Sequence, residues 1–210
     1  MQRPSFEKWN KSFSIDKIFH SLQEKIKLHP PVEAHPGYGG WSLLSADGKY
    51  DSGWNEKSVV FNPQGEMDEL ATIAKLKALH LPNSFSQTMK TVIYTSPVDD
   101  ALEILKNDGF EVARVRLSFL KPGAHLYWHT DVHPSQYGVR FHIPLQTNQQ
   151  SFFEFENEKL HLQADGAGYF IRINRKHRYS NQGSTIRYHL TMDIRDHNHR
   201  TEWFKYPLDI

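Results

Sequence analysis

Cysteine is absent from the 210-residue chain, which excludes disulfides, zinc–thiolate centres and thiol nucleophiles together. Any metal must therefore be held by histidine and carboxylate. An excess of one charge is missing too: 25 basic and 24 acidic residues leave a formal charge of +1. That balance points to neither nucleic acid nor an anionic membrane as partner. No apolar run approaches the roughly 20 residues of a membrane span, and the opening "MQRPSFEKWN" lacks the apolar core of a secretion signal, so a cytoplasmic protein is expected. Internal repeats, low-complexity segments and convincing linkers are also lacking. What remains, 38% hydrophobic and 13% aromatic residues, suffices for a substantial globular core.

The texture of the chain changes near residue 110. Before it, "SIDKIFHSLQEKIKLH" carries apolar residues at helical spacing and is stopped by Pro30-Pro31. "GEMDELATIAKLKALHLP" and "VDDALEILKNDG" predict two further helices, the last closed by Gly109. "SADGKY" predicts a hairpin turn and "MKTVIYTS" a strand. From Glu111 onward the period becomes two, in "EVARVRLSFL", "VRFHIPLQT", "SFFEFEN", "EKLHLQ", "AGYFIRIN" and "TIRYHLTMDI". Six short strands with turn residues between them predict a jelly roll or sandwich, not a parallel α/β sheet. The expected organisation is one structural domain, with 1–110 a helical and mixed support layer and 111–210 the β core.

Thirteen histidines need a constellation before any one is singled out. "WHTD" supplies His129 and Asp131 two residues apart, a spacing that puts both on one face of a strand. His177 follows in "NRKHRYSNQGSTIRYHL", just after the strand-like "GYFIRIN", and Arg187 lies ten residues further. Two histidines and a carboxylate with open positions form the facial triad of non-haem Fe(II) oxygenases. An arginine one strand beyond is placed to grip a carboxylate with paired hydrogen bonds, as the far end of 2-oxoglutarate would need.

From about Arg114 to Asp196 the chain resembles the aspartyl/asparaginyl β-hydroxylase family of 2-oxoglutarate-dependent oxygenases. The stretches that carry the likeness are "RLSFLKPGAHLYWHTD", "VRFHIPLQTN" and "HRYSNQGSTIRYHLTMDI". The resemblance implies a double-stranded β-helix: mainly β, jelly-roll and cupin-like, with supporting helices. It implies His129, Asp131 and His177 as Fe(II) ligands, and Arg187 with Ser118 as holders of the 2-oxoglutarate 5-carboxylate. It places Arg140 and His142 among polar pocket residues, His142 towards the cosubstrate and Arg140 as anchor of a substrate carboxylate. Trp128 is a further substrate-side candidate. Asp131 stands where the family's animal peptide-hydroxylating members lack an acidic ligand. That resembles the bacterial free-standing members and argues against halogenation, which needs the position empty.

The expected function is then Fe(II)-, 2-oxoglutarate- and O2-dependent hydroxylation of an amino acid, free, in a peptide or carrier-bound, and bearing a carboxylate. Two other readings stay open: a cupin-like metal enzyme that uses no 2-oxoglutarate, and a non-catalytic binding or sensor protein. For Arg140 and His142 a structural salt bridge is an alternative, and for His189 a packed core position. The basic, aromatic tail "RDHNHRTEWFKYP" is expected to pack Trp203 and Phe204 back on the core.

Overall fold

The computed structural model describes residues 5–54, 60–64, 67–78, 84–131 and 139–196. The tail with Trp203 and Phe204 lies outside them, as does His133. In chain order the elements are β1 (Phe6–Ser12), α1 (Ile15–Ile26), β2 (Val32–His35), β3 (Tyr38–Ser42), β4 (Leu44–Ser45), α2 (Glu69–Ala78), β5 (Met89–Lys90) and α3 (Ser96–Asn107). The second half adds β6 (Phe110–Leu120), β7 (Val139–Gln146), β8 (Ser151–Phe155), β9 (Glu158–Leu160), β10 (Ala167–Arg172), β11 (His177–Asn181) and β12 (Arg187–Asp196). No helix among the described residues is long and apolar enough to cross a membrane.

Period-two strands with two apolar faces need cover on both sides, and the chain supplies it. Seven strands form one antiparallel sheet in the order β1-β10-β7-β12-β6-β3-β2, and β11-β8-β9 form a smaller one. On the outer face of the large sheet lie Leu117, Phe119, Phe141, Ile143, Leu190 and Met192, packed with Ile18 and Leu22 of α1 and Val98, Leu102 and Leu105 of α3. Trp9, Phe13, Phe110, Phe141 and Phe170 meet there edge to face or tilted, with ring centroids 5.0–6.0 Å apart. On the inner face Leu120, Tyr169 and Ile171 join Phe153, Phe155 and Tyr179 of the small sheet in a second core. Two facing sheets with helices on one outer side make a double-stranded β-helix, as the period change at residue 110 predicts.

β6 shows how the inner wall is tuned. Thr191 pairs with Arg116 but Asp193 pairs with Ala113, so β6 carries one extra residue, a β-bulge. The bulge sits at Arg114, which has a left-handed φ of 50°, and its backbone N–H is taken up by the Gln87 carbonyl at 2.9 Å. The extra residue reverses the alternation. Val115 and Phe119 face the helices on one side of it and Val112 and Phe110 on the other, while Arg114 and Arg116 both reach the interior. A non-glycine residue held left-handed costs on the order of 1–3 kcal/mol, and such residues cluster at functional sites.

Several local expectations are revised. Residues 1–110 contribute strands as well as helices: β1, β2 and β3 are hydrogen-bonded into the large sheet and form both its edges. β1 is hidden in the sequence because it is a mostly exposed edge strand without an apolar alternation. In "MKTVIYTS" only Met89 and Lys90 are strand. They pair with Leu44 and Ser45, so "SADGKY" is a turn that does not join paired neighbours. Asp47 holds that turn by accepting from Ser45, Lys49 and Ser52.

The core analysis predicts that Phe141→Ala, at a position with no exposure and three aromatic neighbours, lowers stability by about 3–5 kcal/mol. Urea denaturation of the variant checks this; a change below 1 kcal/mol would contradict the packing described.

Candidate metal centre and anion pocket

His129 and Asp131 lie between β6 and β7, on a segment that runs antiparallel to β11. Its contacts are Gly123 N–H to Asn181 O, Leu126 N–H to Tyr179 O, and a reciprocal pair between His129 and His177 at 2.8 and 2.9 Å. Asp131 N–H then reaches Ile173 O at 2.8 Å. The segment is thus extended along β11, which is why the two-residue spacing turns His129 and Asp131 to the same side. His177 opens β11, fully buried, against the ring of Phe153 at 5.0 Å.

The ligand atoms of His129, Asp131 and His177 all lie within 4.8 Å of one another. His129 Nδ1 contacts Tyr127 O at 2.9 Å and His177 Nδ1 contacts Arg175 O at 2.7 Å. Carbonyls only accept, so each Nδ1 carries the proton and donates, leaving both Nε2 atoms with free lone pairs. His177 Nε2 is buried without a hydrogen-bond partner and lies 4.0 Å from Asp131 Oδ2. Burial, then the neighbouring His129, push the His177 imidazole down to about 3, so it stays neutral, as a ligand must. Burial works to raise the Asp131 carboxyl, but Arg140 and the two histidines outweigh it and hold it well below the usual carboxylate range. Two imidazoles whose Nδ1 atoms are already bonded to carbonyls, together with an ionised carboxylate, suit a divalent ion such as Fe(II).

Arg140 is already engaged. Its Nη1 donates to Asp131 Oδ2 at 2.8 Å and its Nε to Asp193 Oδ1 at 3.0 Å, while Arg114 holds the other oxygen of Asp193 at 3.3 Å. The salt bridge left open by the sequence is therefore present, and it orients the carboxylate of the metal cluster. Beside it is a small pocket lined by Tyr38, Arg114, Arg116, Ser118, Arg140, Tyr179, Thr191 and Asp193. Arg116 donates to Gly53 O and lies over the Trp54 ring at 4.7 Å. Trp54 in turn covers Gly40, where a Cβ would come within 2.9 Å of its ring.

Arg187 is only 2% exposed and lies over the Tyr179 ring at 4.9 Å. Its Nε has no partner, and among the described residues no carboxylate pairs with it. Ser118 neighbours it across the sheet, its hydroxyl donating to His189 O at 3.2 Å. His142 lies on the same inner face, with Nε2 unpartnered. Trp128 turns the other way. It stacks on Arg178 at 4.7 Å, which faces out from the small sheet and pairs with Glu154.

Sequence reasoning brings together His129, Asp131, His177, Ser118, Arg140, His142 and Arg187. It misses Arg114, Arg116, Asp193, Tyr38, Tyr179 and Trp54. A signal for two of these existed: Arg116 precedes Ser118 by two residues, and Asp193 shares the parity of Arg187.

Residues 53–197 match the sequence model of the Aspartyl/Asparaginyl beta-hydroxylase family. The chain belongs to that family. It is accordingly an enzyme of the 2-oxoglutarate-dependent dioxygenase class, a hydroxylase. Among curated proteins none matches it. Similar solved structures include a viral collagen prolyl hydroxylase from Paramecium Bursaria Chlorella virus-1, at 13% identity over 92% of this chain and 96% of that one, TM-score 0.47. A 2OG-Fe(II) oxygenase family oxidoreductase from Burkholderia pseudomallei is 10% identical over 90% of this chain and 84% of that one, TM-score 0.48. A cupin domain from Bordetella pertussis covers 40% of this chain and 83% of its own at 17% identity, TM-score 0.33.

Because Arg140 holds Asp131, Arg140→Met is expected to weaken metal binding by about 10- to 100-fold. Anaerobic calorimetry with Fe(II) measures it, and an unchanged affinity would show that Asp131 needs no such support.

Proposed function

We propose that this hydroxylase uses Fe(II), 2-oxoglutarate and O2 to hydroxylate an amino acid, free or as a residue in a peptide or carrier-bound substrate, that bears a carboxylate. The observation that carries the reading is Arg187: a buried guanidinium without an anionic partner among the described residues, resting on Tyr179, whose ring also meets His129 and His177 of the cluster. A buried charge left unanswered is costly, and a carboxylate supplied by a ligand answers it.

In this reading His129 Nε2, His177 Nε2 and the Asp131 carboxylate hold the metal. Arg187 and Ser118 grip the far carboxylate of 2-oxoglutarate, and His142 contributes a polar contact to the same molecule. The chemistry supplied by the bound metal is O2-driven hydroxylation of an unactivated C–H, coupled to decarboxylation of 2-oxoglutarate to succinate and CO2. The protein's part is orientation and exclusion of water. Phe153, Phe155 and Tyr179 dry the side of the cluster against the small sheet, and Tyr179 gives Arg187 a flat face to rest on.

The substrate carboxylate falls to the arginine wall. Arg140, the anchor expected from the resemblance, has two of its nitrogens committed to Asp131 and Asp193, so its main part is to position Asp131. Arg114 and Arg116 line the same pocket, and their Nε atoms are buried without partners. They offer further donors beside Arg140. Trp128, stacked outside on Arg178, takes no part in substrate contact in this reading.

The cosubstrate reading is tested by adding Fe(II) and 2-oxoglutarate to the protein without oxygen and following the visible metal-to-ketoacid charge-transfer band. Wild type is expected to show it, with loss in Asp131→Ala and at least tenfold weaker 2-oxoglutarate binding in Arg187→Ala. Iron binding without the band would favour a cupin-like enzyme that uses no 2-oxoglutarate. For the substrate, succinate release is screened over acidic and neutral amino acids and peptides. Arg116→Leu is expected to raise KM for the accepted substrate about tenfold while leaving 2-oxoglutarate binding unchanged.

A further inference from the structure

His189, two residues after Arg187, is 2% exposed on the inner face of β12. It pairs with Ser118 and Pro144 on the neighbouring strands, and Thr191 beyond it pairs with His142. His189 and His142 are therefore diagonal neighbours across β7 and β12. Their rings stand nearly perpendicular at 87°, and the two Nδ1 atoms face each other at 3.4 Å. Both Nε2 atoms are buried without a hydrogen-bond partner.

This arrangement restricts where protons can sit. Two facing Nδ1 atoms bond only when one carries the proton and the other offers its lone pair. Burial, with Arg187 and Arg140 beside His142 and with Arg187 and His142 beside His189, pushes both imidazoles well below their usual range, so each ring holds a single proton. One proton lies between the rings. The other must then be on the Nε2 of the ring that accepts at Nδ1, and that ring becomes a donor into the cavity.

Which ring plays which part follows from their surroundings. His142 lies closer to the metal cluster: it feels the charge of Asp131 and stacks at 27° on Tyr179, whose ring also meets His129 and His177 and lines the arginine pocket. His189 feels Arg187, His142 and His161 but neither Asp131 nor His177. An anion in the cavity thus meets His142 first and requires a donor there.

The geometry points to His189 as a positioning residue: its Nδ1–H donates to His142 Nδ1 and so fixes His142 as an Nε2–H donor to the bound cosubstrate. This rests on the reading of 2-oxoglutarate as cosubstrate. His189 does not need to touch the ligand. It removes the tautomer in which His142 would present a bare lone pair to a carboxylate, and such a contact would repel.

The test combines a binding measurement with a direct view of the protons. Ring 15N shifts of the zinc-loaded wild type, assigned with His142→Gln and His189→Asn, are expected to show His142 protonated at Nε2 and His189 at Nδ1. In the anaerobic Fe(II) titration, His189→Phe is expected to raise the 2-oxoglutarate Kd about tenfold. His189→Asn keeps a donor near the Nδ1 position and should remain within about threefold of wild type. A merely structural histidine would change thermal stability in both variants without this split. His142 protonated at Nδ1, or a His189→Phe Kd equal to wild type, would overturn the inference. If wild type binds iron but gives no 2-oxoglutarate band, the cosubstrate reading falls instead, and the ring 15N shifts still decide the proton arrangement between the two histidines.

Discussion

Arg140 sits between two carboxylates, and the interior of the barrel is arranged around that contact. Burial alone opposes its charge, but Asp131 and Asp193 outweigh it and raise its pKa well above the ordinary value. The same contact holds Asp131 ionised and aimed at the two Nε2 atoms. Removing one partner from such a buried set leaves the others as uncompensated charges, which is far more costly than never having built the set. The position two residues further on, His142, inherits the same inner face through the alternation of β7. Arg114 joins from β6 through the second oxygen of Asp193, so three strands are tied to one another by charge as well as by backbone.

Among the described residues the charge on that wall is not balanced. Arg114, Arg116, Arg140 and Arg187 supply four guanidiniums to the inner face, against the carboxylates of Asp131 and Asp193. A divalent metal would add to the positive side. In the proposed reading a dianionic cosubstrate offsets two charges, and the remainder is left for the substrate carboxylate that reading includes. The enclosure matters here, because electrostatic interactions strengthen as water is excluded. The aromatic residues around the pocket, Tyr38, Trp54 and Tyr179, are large flat surfaces on which guanidiniums can lie without losing their outward hydrogen-bonding edges.

Much of this was legible in the chain, for identifiable reasons. The cluster His129, Asp131 and His177 was visible because metal chemistry restricts residue type and spacing, and the absence of cysteine narrowed the choice further. The core strands were visible because an apolar residue at every second position, as in "VRFHIPLQT", marks a strand with one face on the core. The edge strand "FEKWNKS" was not, since an exposed edge needs no apolar alternation. The bulge at Arg114 was not either. "EVARVRLSFL" reads as plain period two, and only the pairing with β12 reveals that one residue is extra. The partner of Arg140 was out of reach for a related reason: Asp193 is 53 residues away, and register across β7 and β12 decides whether the two meet.

Pairing with β11 sets the backbone of the His-Asp-His cluster. His129 lies outside regular strand, and a loop ligand would ordinarily have to be ordered on binding. Here the backbone is ordered already. The reciprocal bonds between His129 and His177, with Asp131 N–H on Ile173 O behind them, pin the loop to β11 and to the residue just past β10. Each imidazole is then fixed by its own chain two residues earlier, through Tyr127 O and Arg175 O. The ion would therefore meet preset tautomers and a preset carboxylate, and less of its binding free energy would go into ordering the protein. The same economy applies one layer out: a histidine pair that fixes its own protons and an arginine resting on a tyrosine leave the cosubstrate little to rearrange on entering.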